Sequence, residues 1–250
     1  MSPAAAHDLW FRRHSTPTRP TRRLVCFPHA GGAASAYRGW SRWLPPDVEL
    51  LAVRYPGRED RLAEPCVGRM EELADAVAAA LSSFRDLPLA FFGHSLGASL
   101  AHEVALRLER GHGTVLDRLF VSARRAPHRL EPDDLYLRSD AEVVAELRAL
   151  DPVRSAVLDD PGLRELVLPA IRGDYEIVGT YRPGRAEPVR CPVVGYAGAD
   201  DPKAPPAEVA EWAAVAPAGF ATRVFPGGHF YLVDQERAVV MDVVGRWVAG

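Results

Sequence analysis

The chain has 250 residues and a formal charge of −3, from 30 Lys and Arg against 33 Asp and Glu, and it is 48% hydrophobic and 25% charged. These values lie near the globular average and exclude disordered, collagen-like and coiled-coil chains. The balanced charge leaves no footprint for nucleic acid, and no apolar run approaches the ~20 residues of a membrane span.

At this length a chain buries roughly three-quarters of its unfolded surface and can hold one large core. A single domain over residues 1–250 is expected. Residues 1–22 read as an N-terminal arm that lacks the apolar core of a signal peptide. Its arginines, Arg12, Arg13, Arg19 and Arg22, with Arg23 beside them, are expected in solvent, or else against an acidic partner. Lys203 is the single lysine, which reads as genomic base composition rather than as arginine chemistry. Three scattered cysteines, Cys26, Cys66 and Cys191, argue against a disulfide scaffold and for a reducing, cytoplasmic setting. No Cys/His cluster has zinc spacing, so no metal is expected. Nothing in the sequence suggests an interface, so a monomer is expected.

Past the arm, short continuous apolar runs recur: Leu24–Phe27, Leu50–Val53, Leu89–Phe92, Leu119–Val121 and Val193–Tyr196. They lack strand-like alternation, as strands covered on both faces do. Between them Met70, Leu73, Ala74, Val77 and Leu81 repeat at helical spacing, and near the end Val239, Val240, Val243, Val244 and Trp247 do the same. Strands alternating with helices predict an α/β fold with a mostly parallel, doubly wound sheet. From about residue 127 to 183 no strand candidate occurs and the patterns are helical. Pro152, Pro161 and Pro169 there fit helix starts better than interiors. A helical insertion at this point is expected to act as a lid over the C-terminal edge of the sheet, where such folds bind ligands.

Gly93-His94-Ser95-Leu96-Gly97 follows the run Leu89–Phe92 and opens a helical stretch. This is G-x-S-x-G in strand–turn–helix context, in which a sharp turn lifts the serine above the sheet. Ser95 is therefore the candidate nucleophile. It needs a base, and the base needs an orienting acid. Four histidines follow Ser95: His102, His112, His128 and His229. His102 lies within the helix leaving the elbow and points away, His112 reads as a turn residue, and His128 begins the insertion. His229, in the loop after the strand Thr222–Phe225, is the candidate base. The acid is one of two aspartates in Gly198-Ala199-Asp200-Asp201-Pro202. Asp201, in a G-x-x-D-P turn, is favoured, with Asp200 the alternative. The backbone N–H groups of Leu96 and Ala30 are the candidate oxyanion hole. His29 and His94 flank the site and read as structural.

The chain resembles the type II, editing thioesterases that accompany modular polyketide and nonribosomal peptide synthetases. The resemblance rests on Cys26-Phe27-Pro28-His29-Ala30-Gly31-Gly32, on Tyr55-Pro56-Gly57-Arg58-Glu59 with Arg61 and Glu64-Pro65, and on Gly93–Gly97, Asp201-Pro202 and Gly227-Gly228-His229-Phe230. These stretches span residues 24 to 232. The Tyr-Pro-Gly-Arg-Glu segment is the specific one, because many esterases share G-x-S-x-G. The resemblance implies an α/β-hydrolase fold with a mobile helical lid. It also implies hydrolysis of acyl groups from the phosphopantetheine arms of acyl or peptidyl carrier proteins, without a metal or other cofactor. Gly173 and Gly179 depart from the family's Ala and Glu in the lid's last helix. They would weaken that helix by about 1 kcal/mol each relative to alanine. Competing readings are an esterase acting on free esters, which would show no preference for carrier-bound acyl groups, and a hydrolase-fold binding protein without catalysis. A third, a product-releasing thioesterase detached from its synthase, is disfavoured by the lack of linker or carrier sequence before residue 24.

Overall fold

A computed structural model describes residues 9–183 and 186–248. Seven strands form one sheet: β1 (Phe11–Arg13), β2 (Arg22–Phe27), β3 (Val48–Val53), β4 (Leu89–His94), β5 (Arg118–Ser122), β6 (Val193–Gly198) and β7 (Phe220–Phe225). Their spatial order is β1-β3-β2-β4-β5-β6-β7, with β1 antiparallel to β3 and all other neighbours parallel.

Successive side chains point to opposite faces of a strand, and the continuous apolar runs feed two cores at once. Val25, Phe27, Phe91, Leu119 and Val121 enter one core; Leu24, Cys26, Phe92, Phe120 and Val194 enter the other. The first core is closed by α1 (Met70–Leu81) and α2 (Leu96–His112), the second by Tyr37, Trp40 and the C-terminal helix Glu236–Trp247. Truncating any of the fully buried phenylalanines would cost about 3–5 kcal/mol. The expected doubly wound α/β architecture is present. No helix among the described residues is long and apolar enough to cross a membrane.

The N-terminal segment is not a free arm. Residues 1–8 lie outside the described residues, but β1 pairs with β3 across Phe11↔Val53 to Arg13↔Leu51. Two of its arginines are engaged, Arg12 with Asp60 and Arg13 with Glu49, while Arg19 is exposed as expected. Arg23 is buried, with Nε 2.5 Å from Glu49 Oε2 and Nη1 2.9 Å from Asp86 Oδ1. The solvated reading fails for Arg12, Arg13 and Arg23 because edge pairing needs only backbone groups, and a three-residue strand carries too short a pattern to read. His112 also differs from expectation. It ends α2 rather than lying in a loop, and Gly113 at φ +65° closes the helix.

Between β5 and β6 the regular elements among the described residues are all helical, α3 (Asp140–Leu150), α4 (Pro161–Thr180) and short 3-10 turns, joined by loops. Asp160 caps α4, accepting the Leu163 N–H at 2.8 Å, and Pro161 opens it as expected. Pro152 instead lies in a turn after α3. Pro169 lies inside α4, contrary to expectation. It deletes one helical hydrogen bond, and burial of Leu168, Ala170 and Ile171 around it holds the helix through that break. The two glycines of α4 are not simply weak points. A Cβ on Gly179 would lie 2.1 Å from the Asp133 carbonyl oxygen, and one on Gly173 would lie 2.9 Å from Cys66 Cβ. Their lack of a side chain is what lets α4 seat against the rest of the chain.

Candidate active site

β4 runs into Ser95 and the chain turns at once into α2. Ser95 has φ +54° and ψ −119°, a region non-glycine residues rarely occupy, which stores about 1–3 kcal/mol of strain. Neighbouring backbone leaves no alternative. A Cβ on Gly93 would lie 2.2 Å from Gly97 O, and one on Gly97 would lie 2.0 Å from Phe27 O. The Ser95 N–H donates to Ser122 O at 2.8 Å, fixing the turn to the end of β5. The Ser95 side chain borders a cavity of about 240 Å³ that His229 and Ala30 also line.

His229 Nδ1 lies 2.9 Å from Asp201 Oδ2, with both residues buried. An ionised carboxylate can only accept, so Nδ1 carries the proton and Nε2 is left as the free base. The other Asp201 oxygen accepts the Lys203 and Ala204 N–H groups at 2.9 and 3.2 Å. Asp200 is exposed, and its backbone N–H donates to Gly227 O at 3.0 Å. The imidazole is therefore bonded to Asp201 and not to Asp200. Ser95 Oγ makes no hydrogen bond to His229 in this state, a common feature before substrate closes the site.

Ala30 lines the same cavity, and Leu96 directly follows Ser95 in the chain. The amides of Ala30 and Leu96 donate to no other group among the described residues. Leu96 is the first residue of α2, where N–H groups lack helical partners and the helix dipole favours negative charge. Ala30 precedes Gly31, which holds φ +75°. The His29 ring packs edge-on against Phe230, with centroids 4.9 Å apart. His94 is fully buried, Nδ1 2.8 Å from Ser122 Oγ, which in turn lies 2.6 Å from the Tyr231 hydroxyl. Burial holds the His94 pKa well below the usual imidazole value, so it stays neutral. His102 points away to Glu187 O at 2.9 Å, and burial pulls it down to about 4. His128 is exposed, 3.5 Å from Glu211.

The loop bearing Ala30 is braced by residues remote in sequence. Asp174 of α4 is buried and accepts the Gly31 N–H at 2.7 Å. It also accepts Arg58 at 2.5 Å and 2.8 Å through its two oxygens, while Arg58 Nη1 reaches Gly32 O at 2.9 Å. The Arg58 guanidinium lies 5.2 Å from the Tyr55 ring, and the Tyr55 hydroxyl donates to Pro28 O at 2.9 Å. Burial opposes the Arg58 charge, but the Asp174 pair more than offsets it and leaves the Arg58 pKa raised. The Tyr-Pro-Gly-Arg segment thus ties the helical insertion to the loop that bears Ala30. Removing one partner strands a buried charge. Arg58→Met and Asp174→Asn should each destabilise the protein by about 3–5 kcal/mol, with the double variant no worse than either. Urea unfolding of the three variants checks this, and additive losses would contradict it.

Asp174 and Arg124 are the site residues that sequence reasoning missed. Arg124 lines the cavity two residues past β5. Its signal was a charged pair, Arg124-Arg125, at the C-terminal end of an apolar strand, the edge where α/β sheets bind ligands.

The sequence matches the Thioesterase domain family over residues 22–246. Among similar proteins, Thioesterase PikA5 of Streptomyces venezuelae is 47% identical over 237 residues, covering 94% of this chain and 84% of that one. Gramicidin S biosynthesis protein GrsT of Aneurinibacillus migulanus is 31% identical, covering 93% and 91%. Among solved structures, the type II thioesterase BorB from the borrelidin biosynthetic cluster superposes with a TM-score of 0.87 at 41% identity, covering 95% of this chain and 97% of BorB.

Proposed function

The chain belongs to the thioesterase family, and we propose that it is a serine thioesterase serving modular polyketide or nonribosomal peptide synthesis. It hydrolyses acyl groups from the phosphopantetheine arms of acyl or peptidyl carrier proteins and so clears misprimed or stalled units. The observation that carries this reading is the convergence of Ser95, Ala30 and the Asp201-bonded His229 on one cavity, with the unengaged Leu96 amide next to Ser95 in the chain. The likeness to PikA5, named a thioesterase, and to BorB, named a type II thioesterase of a biosynthetic cluster, supports the substrate class.

In this mechanism His229 Nε2 takes the Ser95 proton as Oγ attacks the thioester carbonyl. Asp201 stabilises the imidazolium and holds its orientation. The Ala30 and Leu96 amides receive the oxyanion. The C–S bond breaks, the arm leaves as thiol with the proton held by His229, and an acyl-Ser95 ester remains. Water, deprotonated by His229, releases the acid and restores the serine. No step calls on a metal or a redox cofactor. The segment 127–183 acts as the lid, with Leu130 and Tyr175 forming part of the cavity wall. The volume is below the roughly 300–1,000 Å³ of drug-sized pockets, which suits a short acyl group.

Matched propionyl substrates test the reading, one on a holo carrier protein and one on N-acetylcysteamine. The carrier-bound substrate should show the higher kcat/KM, by about tenfold or more if docking adds 1.4 kcal/mol of transition-state stabilisation. Equal rates on both, and on the corresponding simple ester, would point to a general esterase.

A further inference from the structure

His94 is a buried titratable group that the mechanism above leaves unused. It ends β4 directly before Ser95 and is wholly shielded from solvent. Like Phe92 two positions earlier, it points to the face of the sheet where Phe230 and Tyr231 pack. Its ring meets three consecutive residues of the loop that carries the base. Centroid separations are 5.3 Å to His229, 5.7 Å to Phe230 and 6.1 Å to Tyr231. His29, from the loop that bears Ala30, lies 5.9 Å away.

The proton on this ring can be placed by counting donors and acceptors. Burial, aided by the His229 and His29 rings, keeps His94 neutral, so it has one ring proton. Nδ1 lies 2.8 Å from Ser122 Oγ, which lies 2.6 Å from the Tyr231 hydroxyl, and all three side chains are buried. If Tyr231 donates to Ser122 and Ser122 donates to Nδ1, both hydroxyl protons are used and the ring proton sits on Nε2. The opposite direction leaves the Tyr231 proton without an acceptor among the described residues. The first arrangement wastes fewer buried groups and makes Nε2–H a buried donor. That nitrogen has no hydrogen-bond partner among the described residues, an omission that packed interiors rarely leave.

The neighbour that favours a proton on the ring is the backbone carbonyl of His229. Two bonds are therefore open at one residue. The His229 imidazole, bonded to Asp201, makes none to Ser95 Oγ, and its carbonyl makes none to His94 Nε2. We propose that His94 is a positioning residue: its Nε2–H donates to the His229 carbonyl when an acyl group occupies the cavity, and this holds the catalytic imidazole toward Ser95. Catalytic hydrogen bonds commonly tighten only in the substrate complex. This assignment rests on the serine-hydrolase chemistry proposed above and adds a residue to it.

The test uses propionyl-N-acetylcysteamine. His94→Phe keeps a ring in place and leaves Ser122 and Tyr231 bonded to each other, so the fold should hold. A base displaced by about 1 Å costs up to roughly 100-fold, so this variant should lose about 10–100-fold in kcat with KM within about twofold. His94→Asn, which offers Ser122 a partner but places no donor at Nε2, should fall as far. His94→Gln, whose amide reaches the Nε2 position, should recover part of the rate. Phosphonylation of Ser95 by an uncharged fluorophosphonate, which also needs His229 to take the serine proton, should slow by the same factor in the Phe and Asn variants. Nitrogen NMR of the wild-type histidines needs no variant to fold. It should show His94 protonated at Nε2, without titration between about pH 5 and 8, where an ordinary imidazole titrates. Wild-type kcat in His94→Phe, a loss carried by KM alone, a faster Asn than Gln variant, or a wild-type proton on Nδ1 would overturn the proposal. Labelling of wild-type Ser95, absent from Ser95→Ala, reports on the hydrolase chemistry separately.

Discussion

Ser95→Ala should lower kcat for acyl-carrier hydrolysis by about 10⁴–10⁶-fold while leaving the fold intact. The magnitude follows from the role of Oγ. Without it no acyl-enzyme forms, and only the oxyanion donors and substrate positioning remain to assist direct attack by water. The structural cost is small because the Ser95 hydroxyl makes no hydrogen bond among the described residues, and alanine keeps the same Cβ at the same strained backbone position. Steady-state kinetics beside a thermal melt separates the two effects. A variant that melts with the wild type yet retains more than about one-hundredth of its rate would remove Ser95 from the mechanism.

Asp201→Asn should cost about 10⁴-fold in kcat, because an amide no longer selects the Nδ1–H tautomer or stabilises the imidazolium. The adjacent Asp200→Asn should change the rate by no more than about twofold, since surface substitutions away from special contacts are nearly neutral. The contrast is sharp because two residues next to each other have opposite surroundings. Asp201 is buried and accepts from His229, Lys203 and Ala204, whereas the Asp200 side chain faces solvent. Reversal of the pair would mean that the imidazole changes partner in the working enzyme.

Much of this site is legible in the sequence for a physical reason. The elbow needs a strand, a serine between glycines and a helix in immediate succession, and all of these are local. His229 follows by elimination, because His102, His112 and His128 each have another placement. The parts that escaped reading depend on contacts between distant residues. Arg58 and Asp174 are 116 positions apart, so Tyr-Pro-Gly-Arg reads as a family signature without a visible task until α4 closes onto it. Gly179 looks like a helix weakness until the Asp133 carbonyl is found where its Cβ would be. Pro169 tolerates a helix interior because tertiary burial outweighs one lost hydrogen bond. β1 is invisible because an edge strand of three residues is defined by its partner. Arg124 carries no motif, and its place on the cavity wall is visible only in the fold.

The central claim is that the acyl group passes from the carrier arm to Ser95 before reaching water. Rapid acid quenching of the protein with an excess of propionyl carrier protein, followed by mass analysis of its peptides, tests that claim directly. A propionyl increment on the peptide containing Ser95, absent from Ser95→Ala and accumulating more slowly in Asp201→Asn, is the expected result. Turnover with no increment on that peptide at any quench time, and undiminished in Ser95→Ala, would contradict it.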